Sequence, residues 1–339
     1  MTSLRDLTFE ELENLILSIG EKKFRALQIF SWLHKGVTSF DEMTNIPKNI
    51  KEKLSENYYI SSPKIIKKLV SSLDKTRKYL FSLHDGNMVE SVVMYYKHGI
   101  TICVSSQVGC AMGCKFCAST IGGLFRNLTP GEILDQIIFA SKDIGERISN
   151  IVMMGIGEPL ANFDNVVKFL NIVNDERGIC IGYRHISLST CGIVPRILDL
   201  AKLNIPITLS VSLHASEDSV RSSIMPVNNT YNIKNLLDAC RSYQKITKRR
   251  ISFEYAIIQG VNDSEMHAIK LANLLKGILC HINIIPVNKV EETSFEKPDA
   301  FRIKAFVNTI EKQGITATVR RKLGSDINAS CGQLRKNNL

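Results

Sequence analysis

From Thr101 onward, segments typical of strands and of amphipathic helices alternate regularly along the chain. Repeated βα units favour right-handed crossovers, which cover a parallel sheet with helices. The pattern therefore predicts an α/β fold built as a complete or partly open parallel barrel, with a doubly wound sheet as the alternative. Seven strands joined by six helical segments are expected, the strands near 101–105, 150–154, 185–190, 207–213, 251–258, 281–286 and 316–321.

The first 62 residues look helical instead. Thr8 to Glu11 and Ser39 to Glu42 are capping-box patterns, and Pro47 is suited to the start of a short helix. Residues 63–100 alternate in strand fashion and contain turn residues, which predicts a β-meander leading into the barrel. Three regions follow: an N-terminal helical domain (1–62), a β-meander extension (63–100) and a barrel with a C-terminal loop (101–339).

The overall composition indicates a folded protein with an anionic partner. Hydrophobic residues make up 44% of the chain and charged residues 22%, which is ordinary for a globular protein and excludes disorder. A formal net charge of +10 favours polyanions such as nucleic acid. Neither a signal-like segment nor an apolar run of membrane-spanning length is visible, so we expect a cytoplasmic protein. In that compartment, nine cysteines indicate metal or redox chemistry.

Three of these cysteines, Cys110, Cys114 and Cys117, lie within eight residues after the first barrel strand. Gly109 and Gly113 allow this loop to curl around a ligand. Three soft thiolates without a fourth Cys or His nearby suit an iron–sulfur cluster better than a closed zinc site. The loop therefore predicts a cluster with one iron open to a catalytic ligand. Three buried structural cysteines are the alternative.

This loop resembles the signature of the radical S-adenosylmethionine (SAM) enzymes, which has an aromatic residue, here Phe116, before the last cysteine. The chain also resembles the RlmN family, which methylates carbon 2 of an adenine in 23S rRNA, and the related Cfr-type enzymes, which modify carbon 8. The resemblance implies a partial (βα)6 TIM-like radical SAM barrel with a [4Fe-4S] cluster on the three cysteines. Besides the loop, the matching stretches are Cys103–Gln107, Arg126–Thr129, Met153–Leu160, Leu188–Thr190, Ser212–His214, Pro226, Gly260–Asp263 and Cys331–Leu334.

SAM binding is assigned by the same resemblance to residues at strand ends. Gly157 and Glu158 follow the strand near 150–154, where glycine admits a ligand closely and a carboxylate can accept hydrogen bonds from the SAM ammonium group. An ordinary strand-to-helix turn with a capping acid is the alternative. The implied SAM contacts are Gly157, Glu158, Ser189, Ser212, Leu213, His214 and Asn288.

Two distant cysteines receive roles only through the resemblance. In the implied mechanism one SAM methylates Cys331, and a second SAM yields a radical that takes hydrogen from that methyl group. The carbon radical adds to adenine, and Cys103 releases the product by forming a transient disulfide with Cys331. Glu90 matches the family's proton acceptor, although a solvated acid on an alternating strand is the alternative.

The family further implies 23S rRNA and tRNA as substrates, an external electron donor such as flavodoxin or ferredoxin, and a monomer. Basic clusters at 64–68, 245–250 and 320–322 are candidates for phosphate contacts or for ordinary solvated surface. The turn Gly157-Glu158-Pro159 favours the carbon-2 enzymes. Two other functions stay open: a carbon-8 methyltransferase, and a non-catalytic zinc- or iron-binding RNA protein.

Overall fold

The structure, a computed structural model, describes residues 1–334. Within this range no helix combines the length and apolar character needed to cross a bilayer. The helices are α1 (Phe9–Ser18), α2 (Phe24–His34), α3 (Lys48–Ser55), α4 (Pro130–Ile144), α5 (Phe163–Asn174), α6 (Val194–Leu203), α7 (Asp218–Ile224), α8 (Ile233–Thr247), α9 (Glu265–Leu275) and α10 (Ala300–Lys312). The strands are β1 (Thr2–Ser3), β2 (Tyr58–Tyr59), β3 (Lys64–Val70), β4 (Arg77–Ser82), β5 (Met88–Tyr96), β6 (Gly99–Cys103), β7 (Gln107–Gly109), β8 (Leu124–Asn127), β9 (Asn150–Met153), β10 (Ile186–Thr190), β11 (Thr208–Ser212), β12 (Ile251–Ile257), β13 (Cys280–Pro286) and β14 (Ala317–Val319).

One ten-stranded sheet, in the order β14-β13-β12-β11-β10-β9-β6-β5-β4-β3, forms the centre of the molecule. Strands β6 and β9 to β14 pair in parallel in chain order, with helices between successive strands. A doubly wound sheet would reverse its strand order, whereas a barrel keeps it sequential. The predicted α/β fold with a parallel barrel is therefore confirmed over the doubly wound sheet. Among the described residues the sheet ends at β14 and β3, so the barrel is partial.

The β-meander continues the barrel sheet. Strands β3 to β6 pair antiparallel, and the β5–β6 pairing crosses the predicted boundary between residues 100 and 101. In the β4–β5 turn, the Asp85 carboxylate accepts a hydrogen bond from the Asn87 N–H at 3.0 Å. Because the sheet is continuous there, the division into an extension and a barrel stays a prediction.

The N-terminal helices begin as their caps predict, with one exception. The Thr8 hydroxyl and Glu11 carboxylate form a full capping box at the start of α1. The similar pattern at Ser39 to Glu42 starts no helix. Glu42 instead accepts hydrogen bonds from the backbone N–H groups of Thr38 and Ser39, which closes a turn. The interpretation of that second pattern as a helix start was wrong, because the acid is used locally.

Arg5 anchors the N-terminal region to the barrel. Its buried guanidinium pairs with Asp135 of α4 at 2.9 Å and donates a hydrogen bond to the Leu33 carbonyl oxygen at 3.1 Å. The neighbouring Asp6 carboxylate accepts from the Gly131 N–H at the first turn of α4, at 2.8 Å. These contacts fix how the first 60 residues sit against the barrel wall.

His34 lies in this junction and should make its stability depend on pH. Its Nδ1 accepts a hydrogen bond from the Ile179 N–H at 3.1 Å, and burial, with the Arg5 charge, lowers the pKa of His34 to about 4. A lowered histidine pKa stabilises the fold above the unfolded value near 6.5, and this stability is lost as pH falls towards 4. We expect His34 to account for a decrease of about 2 kcal/mol in unfolding free energy between about pH 8 and pH 5.

Chemical denaturation of the wild type and of His34→Asn across this pH range measures the effect. The asparagine Oδ1 lies where Nδ1 does and can accept the same hydrogen bond without titrating. Because His34 accounts for the difference, the variant should lose less stability on acidification than the wild type. Identical pH dependence in the two proteins would contradict this assignment.

Candidate active site

The cysteine loop is enclosed by a small hairpin. Strand β7 pairs with β8, and residues 110–123 form the loop between them. Gly109 has a positive φ of 76°, and a Cβ there would lie 2.0 Å from the Gly123 carbonyl oxygen, so only glycine fits. The Thr120 hydroxyl donates to the Cys117 carbonyl oxygen at 2.9 Å and holds the last turn of the loop. The backbone therefore has the tight curvature that the glycines predict.

Cys110, Cys114 and Cys117 line one cavity of about 160 Å³ at the carboxyl ends of the barrel strands. Burial raises the pKa of Cys110 to about 12 and raises that of the other two thiols, so stable thiolates here need a bound cation. A structural zinc ion is normally held by four ligands, whereas three thiolates can hold a cluster with one iron left open, so the three thiols fit a cluster better than a single zinc ion.

Six of the seven residues assigned to SAM line the same cavity: Gly157, Glu158, Ser189, Ser212, His214 and Asn288. They follow or end strands β9, β10, β11 and β13, which places them on a common rim. The side chain of Leu213 is fully buried in the hydrophobic core instead. Its carbonyl oxygen accepts a hydrogen bond from Arg221 at 3.0 Å, so Leu213 contributes to the rim through its backbone.

Glu158 organises one side of this rim. Its two carboxylate oxygens accept hydrogen bonds from the N–H groups of Leu160 at 2.9 Å and of Cys191 at 2.7 Å. Burial raises the pKa of Glu158, against the lowering effect of these amides. Each carboxylate oxygen can accept more than one hydrogen bond, so capacity remains for a ligand ammonium group. At Gly157 a Cβ would lie 2.6 Å from the Gln107 Cβ, which explains the glycine.

His214 joins the rim to the cysteine loop. Its Nδ1 accepts a hydrogen bond from the Ala256 N–H at 2.9 Å, which leaves Nε2 as the protonated nitrogen. Burial lowers the pKa of His214 to about 3, so the ring is neutral at physiological pH. The ring meets Phe116 of the loop edge to face, with centroids 4.9 Å apart. His214 therefore acts as a neutral, fixed part of the cavity wall.

Arg221, whose role the sequence did not predict, stabilises the rim through hydrogen bonds to its backbone. This fully buried side chain donates hydrogen bonds to the carbonyl oxygens of Cys191 at 2.7 Å and Ser212 at 3.1 Å, in addition to Leu213. It thereby connects the carboxyl ends of β10 and β11. No local sequence signal identifies it, because its partners come from different strands.

The C-terminal segment covers the cysteine loop and carries Cys331. The Asn288 amide donates to the Cys331 carbonyl oxygen at 3.0 Å, so Asn288 contacts this segment as well as the cavity. The Ala118 N–H donates to the Gly332 carbonyl oxygen at 2.8 Å, next to Cys117. These bonds place Cys331 beside the cavity that the three cysteines line.

A second cavity of about 640 Å³ lies on the other side of Cys331 and contains Cys103 in its wall. Residues lining both cavities are Met154, Ile285, Val287, Asn288, Arg320 and Cys331. Cys103 and Cys331 are both free thiols. Burial, and then the nearby Cys331 sulfur, raises the pKa of Cys103 to about 12. Cys331 is thus positioned between the SAM-side cavity and a larger cavity that holds its predicted thiol partner.

Glu90 lies in a third cavity, of about 190 Å³, together with Ile327 and Asn328 of the C-terminal segment. Its carboxylate forms a buried ion pair with Lys78 at 2.8 Å, and Lys78 also donates to the Asn328 carbonyl oxygen at 3.1 Å. By strand alternation Glu90 shares a face of β5 with Val92, which lines the Cys103 cavity. The solvated-acid alternative is therefore wrong, because Glu90 is buried and paired.

Arg320 lines both cavities, although its sequence context with 321–322 predicts a phosphate contact or solvated surface. Its guanidinium points instead at two sulfur atoms. One nitrogen donates to the Cys331 sulfur at 3.0 Å and the other to the Met154 sulfur at 3.2 Å. The available signal was position, because Arg320 directly follows β14 and so lies at the same strand-end rim.

A partial parallel barrel with three cysteines in one loop, opposed by a glycine-containing turn and a buried glutamate, defines the class of radical SAM enzymes. Residues 104–272 match the radical SAM superfamily. This class uses a [4Fe-4S] cluster and SAM, and the donor set of the loop fits that cluster.

Residues 2–60 match the N-terminal domain of ribosomal RNA large subunit methyltransferases. Curated relatives named as probable dual-specificity RNA methyltransferase RlmN are similar over nearly the whole chain. The protein of Alkaliphilus oremlandii is 57% identical over 99% of this chain and 98% of its own length, and that of Clostridioides difficile 55% identical over 98% and 97%. A crystal structure of a radical SAM methyltransferase from Sphaerobacter thermophilus superposes with a TM-score of 0.95 at 42% identity, covering 99% of this chain and all of that one. The chain belongs to the RlmN family of radical SAM methyltransferases.

Proposed function

We propose that this protein methylates carbon 2 of an adenine in 23S rRNA and of an adenine in tRNA, with Cys331 as methyl carrier. The observation that carries this proposal is the position of Cys331. It lines both the cavity of the three loop cysteines, where SAM is expected, and the larger cavity containing Cys103. The dual-specificity name of the relatives supports both RNA substrates. The Gly157-Glu158-Pro159 turn supports carbon 2 over carbon 8.

Carbon 2 of adenine is electron-poor, so ordinary attack on the SAM methyl group is unfavourable and the difficult chemistry comes from cofactors. Cys110, Cys114 and Cys117 would hold the cluster and the Glu158 rim would hold SAM; with both bound, two SAM molecules per turnover would supply the methyl group and a hydrogen-abstracting radical. An external flavodoxin or ferredoxin supplies the electrons. The protein's part is to bind, orient and shield.

Three side chains complete the reaction on the RNA side. Cys331 presents the methyl-derived carbon to adenine in the larger cavity. After the adduct radical has lost one electron, which the cluster would take up, Cys103 attacks the Cys331 sulfur as a thiolate and forms a transient disulfide. The bond between that sulfur and the transferred carbon breaks, and the carbon keeps the electron pair and takes up a proton to become the methyl group. An external reductant then reopens the disulfide for the next turnover. Glu90 accepts the proton that leaves the adenine ring, with Lys78 balancing its charge.

We assign RNA binding to the N-terminal domain (1–62) and the meander (63–100). The net charge of +10 and the exposed lysines of β3 support this assignment. We place the enzyme in the cytoplasm, where its RNA substrates are, and expect it to act as a monomer because each chain carries both cavities and both reactive thiols.

Nucleoside analysis tests the reaction. Anaerobically reconstituted enzyme with SAM and a reductant should convert unmodified 23S rRNA fragments and tRNA to products containing 2-methyladenosine, measured by liquid chromatography and mass spectrometry. RNA already methylated at the target is the matched control and should take up no methyl groups. A product containing 8-methyladenosine, or a purified protein that holds zinc in place of iron and sulfide, would overturn the proposal.

A further inference from the structure

Arg320 occupies the junction of the two cavities with its side chain directed at sulfur. Its guanidinium nitrogens donate to Cys331 Sγ at 3.0 Å and to Met154 Sδ at 3.2 Å. The backbone N–H of Arg320 donates to the Ile284 carbonyl oxygen at 2.8 Å, which fixes the backbone beside β13. The Arg320 side chain is therefore fixed both at the backbone and at the guanidinium, in the geometry needed to orient the Cys331 sulfur.

The charge of Arg320 favours an anionic sulfur as its partner, because a charged donor binds an anionic acceptor more strongly than a neutral one. Interactions with Cys331, and then with Glu254, Tyr96 and Cys103, raise the pKa of Arg320, so the guanidinium stays charged beside Cys331 Sγ. The two Glu254 carboxylate oxygens accept hydrogen bonds from Ser252 at 2.9 Å and Asn283 at 2.7 Å. The strong directional donors of Arg320 thus go to the two sulfur atoms, and only a thiolate offers them a full charge.

We propose that Arg320 is a catalytic residue for the methylation of Cys331, one that orients its sulfur and stabilises the thiolate which accepts the methyl group. This inference rests on the proposed function. The thiolate lone pair forms a bond to the methyl carbon of SAM, the bond from that carbon to the sulfonium breaks, and its electron pair returns to the departing S-adenosylhomocysteine. One negative and one positive charge are neutralised, so no proton is moved.

Methylation also changes what Arg320 holds. The methylated sulfur of Cys331 is an uncharged thioether and a weak acceptor, so its bond to the guanidinium is weaker than that of the thiolate. Arg320 therefore retains the unmethylated residue in the SAM-side position and holds the methylated one less tightly. That difference suits a carrier that must next serve the Cys103 cavity.

Alkylation of Cys331 tests this in the full-length holoprotein, without SAM or RNA. The probe is iodoacetamide at neutral pH under anaerobic conditions, with modification of Cys331 followed by peptide mass spectrometry. Arg320→Gln should slow alkylation of Cys331 by roughly tenfold, since the thiolate is the nucleophile. Arg320→Lys should be intermediate. Lys312→Gln, which removes an exposed charge at the end of α10, away from both cavities, is the matched control and should match the wild type.

An alkylation rate for Arg320→Gln equal to or above the wild-type rate would overturn the inference. If Arg320 had a purely structural role, its loss would loosen the C-terminal segment and expose Cys331 to the reagent. The alkylation rate would then rise instead of falling. If Arg320→Gln does not fold, Arg320→Met provides the neutral variant, with the same expected result. The two proposals can also fail separately. If Arg320→Gln slows alkylation but the wild-type enzyme methylates no RNA under any condition, the proposed function is refuted while the Arg320–thiolate contact stays supported.

Discussion

Replacing Cys331 with alanine is expected to abolish methyl transfer to RNA, with a rate loss of at least about 10⁴-fold, the scale observed when a covalent nucleophile is removed. The reason is positional, because Cys331 lies where the two cavities meet and its sulfur is the proposed carrier of the methyl group between them. Alanine removes this atom and nothing larger. The three cluster cysteines and the Glu158 rim keep their own hydrogen bonds, so iron content and SAM affinity should stay near wild type.

Two measurements separate the carrier role from general damage. Incubation with SAM in the absence of RNA should add one methyl group to the wild-type protein at Cys331, detected by intact mass, and none to Cys331→Ala. Cys280→Ala is the matched control: Cys280 begins β13, is partly buried, and lies outside the residues lining the two cavities. Methylation of RNA by Cys331→Ala at the wild-type rate would remove Cys331 from the mechanism.

The parts of this molecule that sequence predicts well depend on local patterns. Strands β6 and β9 to β14 lie within two residues of the predicted bounds, because apolar periodicity and turn residues act over a few positions. The cysteine loop is equally local, since its three ligands and its glycines lie within nine residues. The Thr8–Glu11 capping box at α1 likewise forms as its spacing predicts. Such features require no knowledge of which strands become neighbours.

The features that sequence could not place depend on contacts between distant segments. Arg221 joins the ends of β10 and β11, and Arg320 meets Cys331 only because the C-terminal segment folds back over the barrel. A basic residue beside two others is typical of a solvated surface, so Arg320 had no distinguishing pattern of its own. Glu90 shows the same limit: its strand was predicted, but the buried Lys78 partner comes from the adjacent strand. Register and packing, not residue type, decide these roles.

Replacing Cys103 with alanine should give a different failure, in which the enzyme stays covalently joined to its RNA. In the proposed reaction, Cys103 attacks the Cys331 sulfur; the new S–S bond replaces the bond from sulfur to the transferred carbon, and the product leaves. Alanine cannot attack, so the reaction stops after carbon–carbon bond formation. Cys103 faces the Cys331 cavity from β6, paired with Val92 of β5, and the Arg320 charge favours its thiolate against the burial that raises its pKa.

A denaturing gel with labelled RNA detects this adduct. Cys103→Ala should yield a band of protein joined to RNA that survives heat and denaturant, at up to one RNA per enzyme, while released methylated RNA falls below detection. The double variant Cys103→Ala, Cys331→Ala is the matched control and should form no adduct, because it lacks the sulfur that bonds to the RNA. Multiple turnovers by Cys103→Ala would show that another group resolves the intermediate. If the adduct forms only when Cys331 is present, both thiols act in the same reaction. The adenine must then reach the cavity that both residues line.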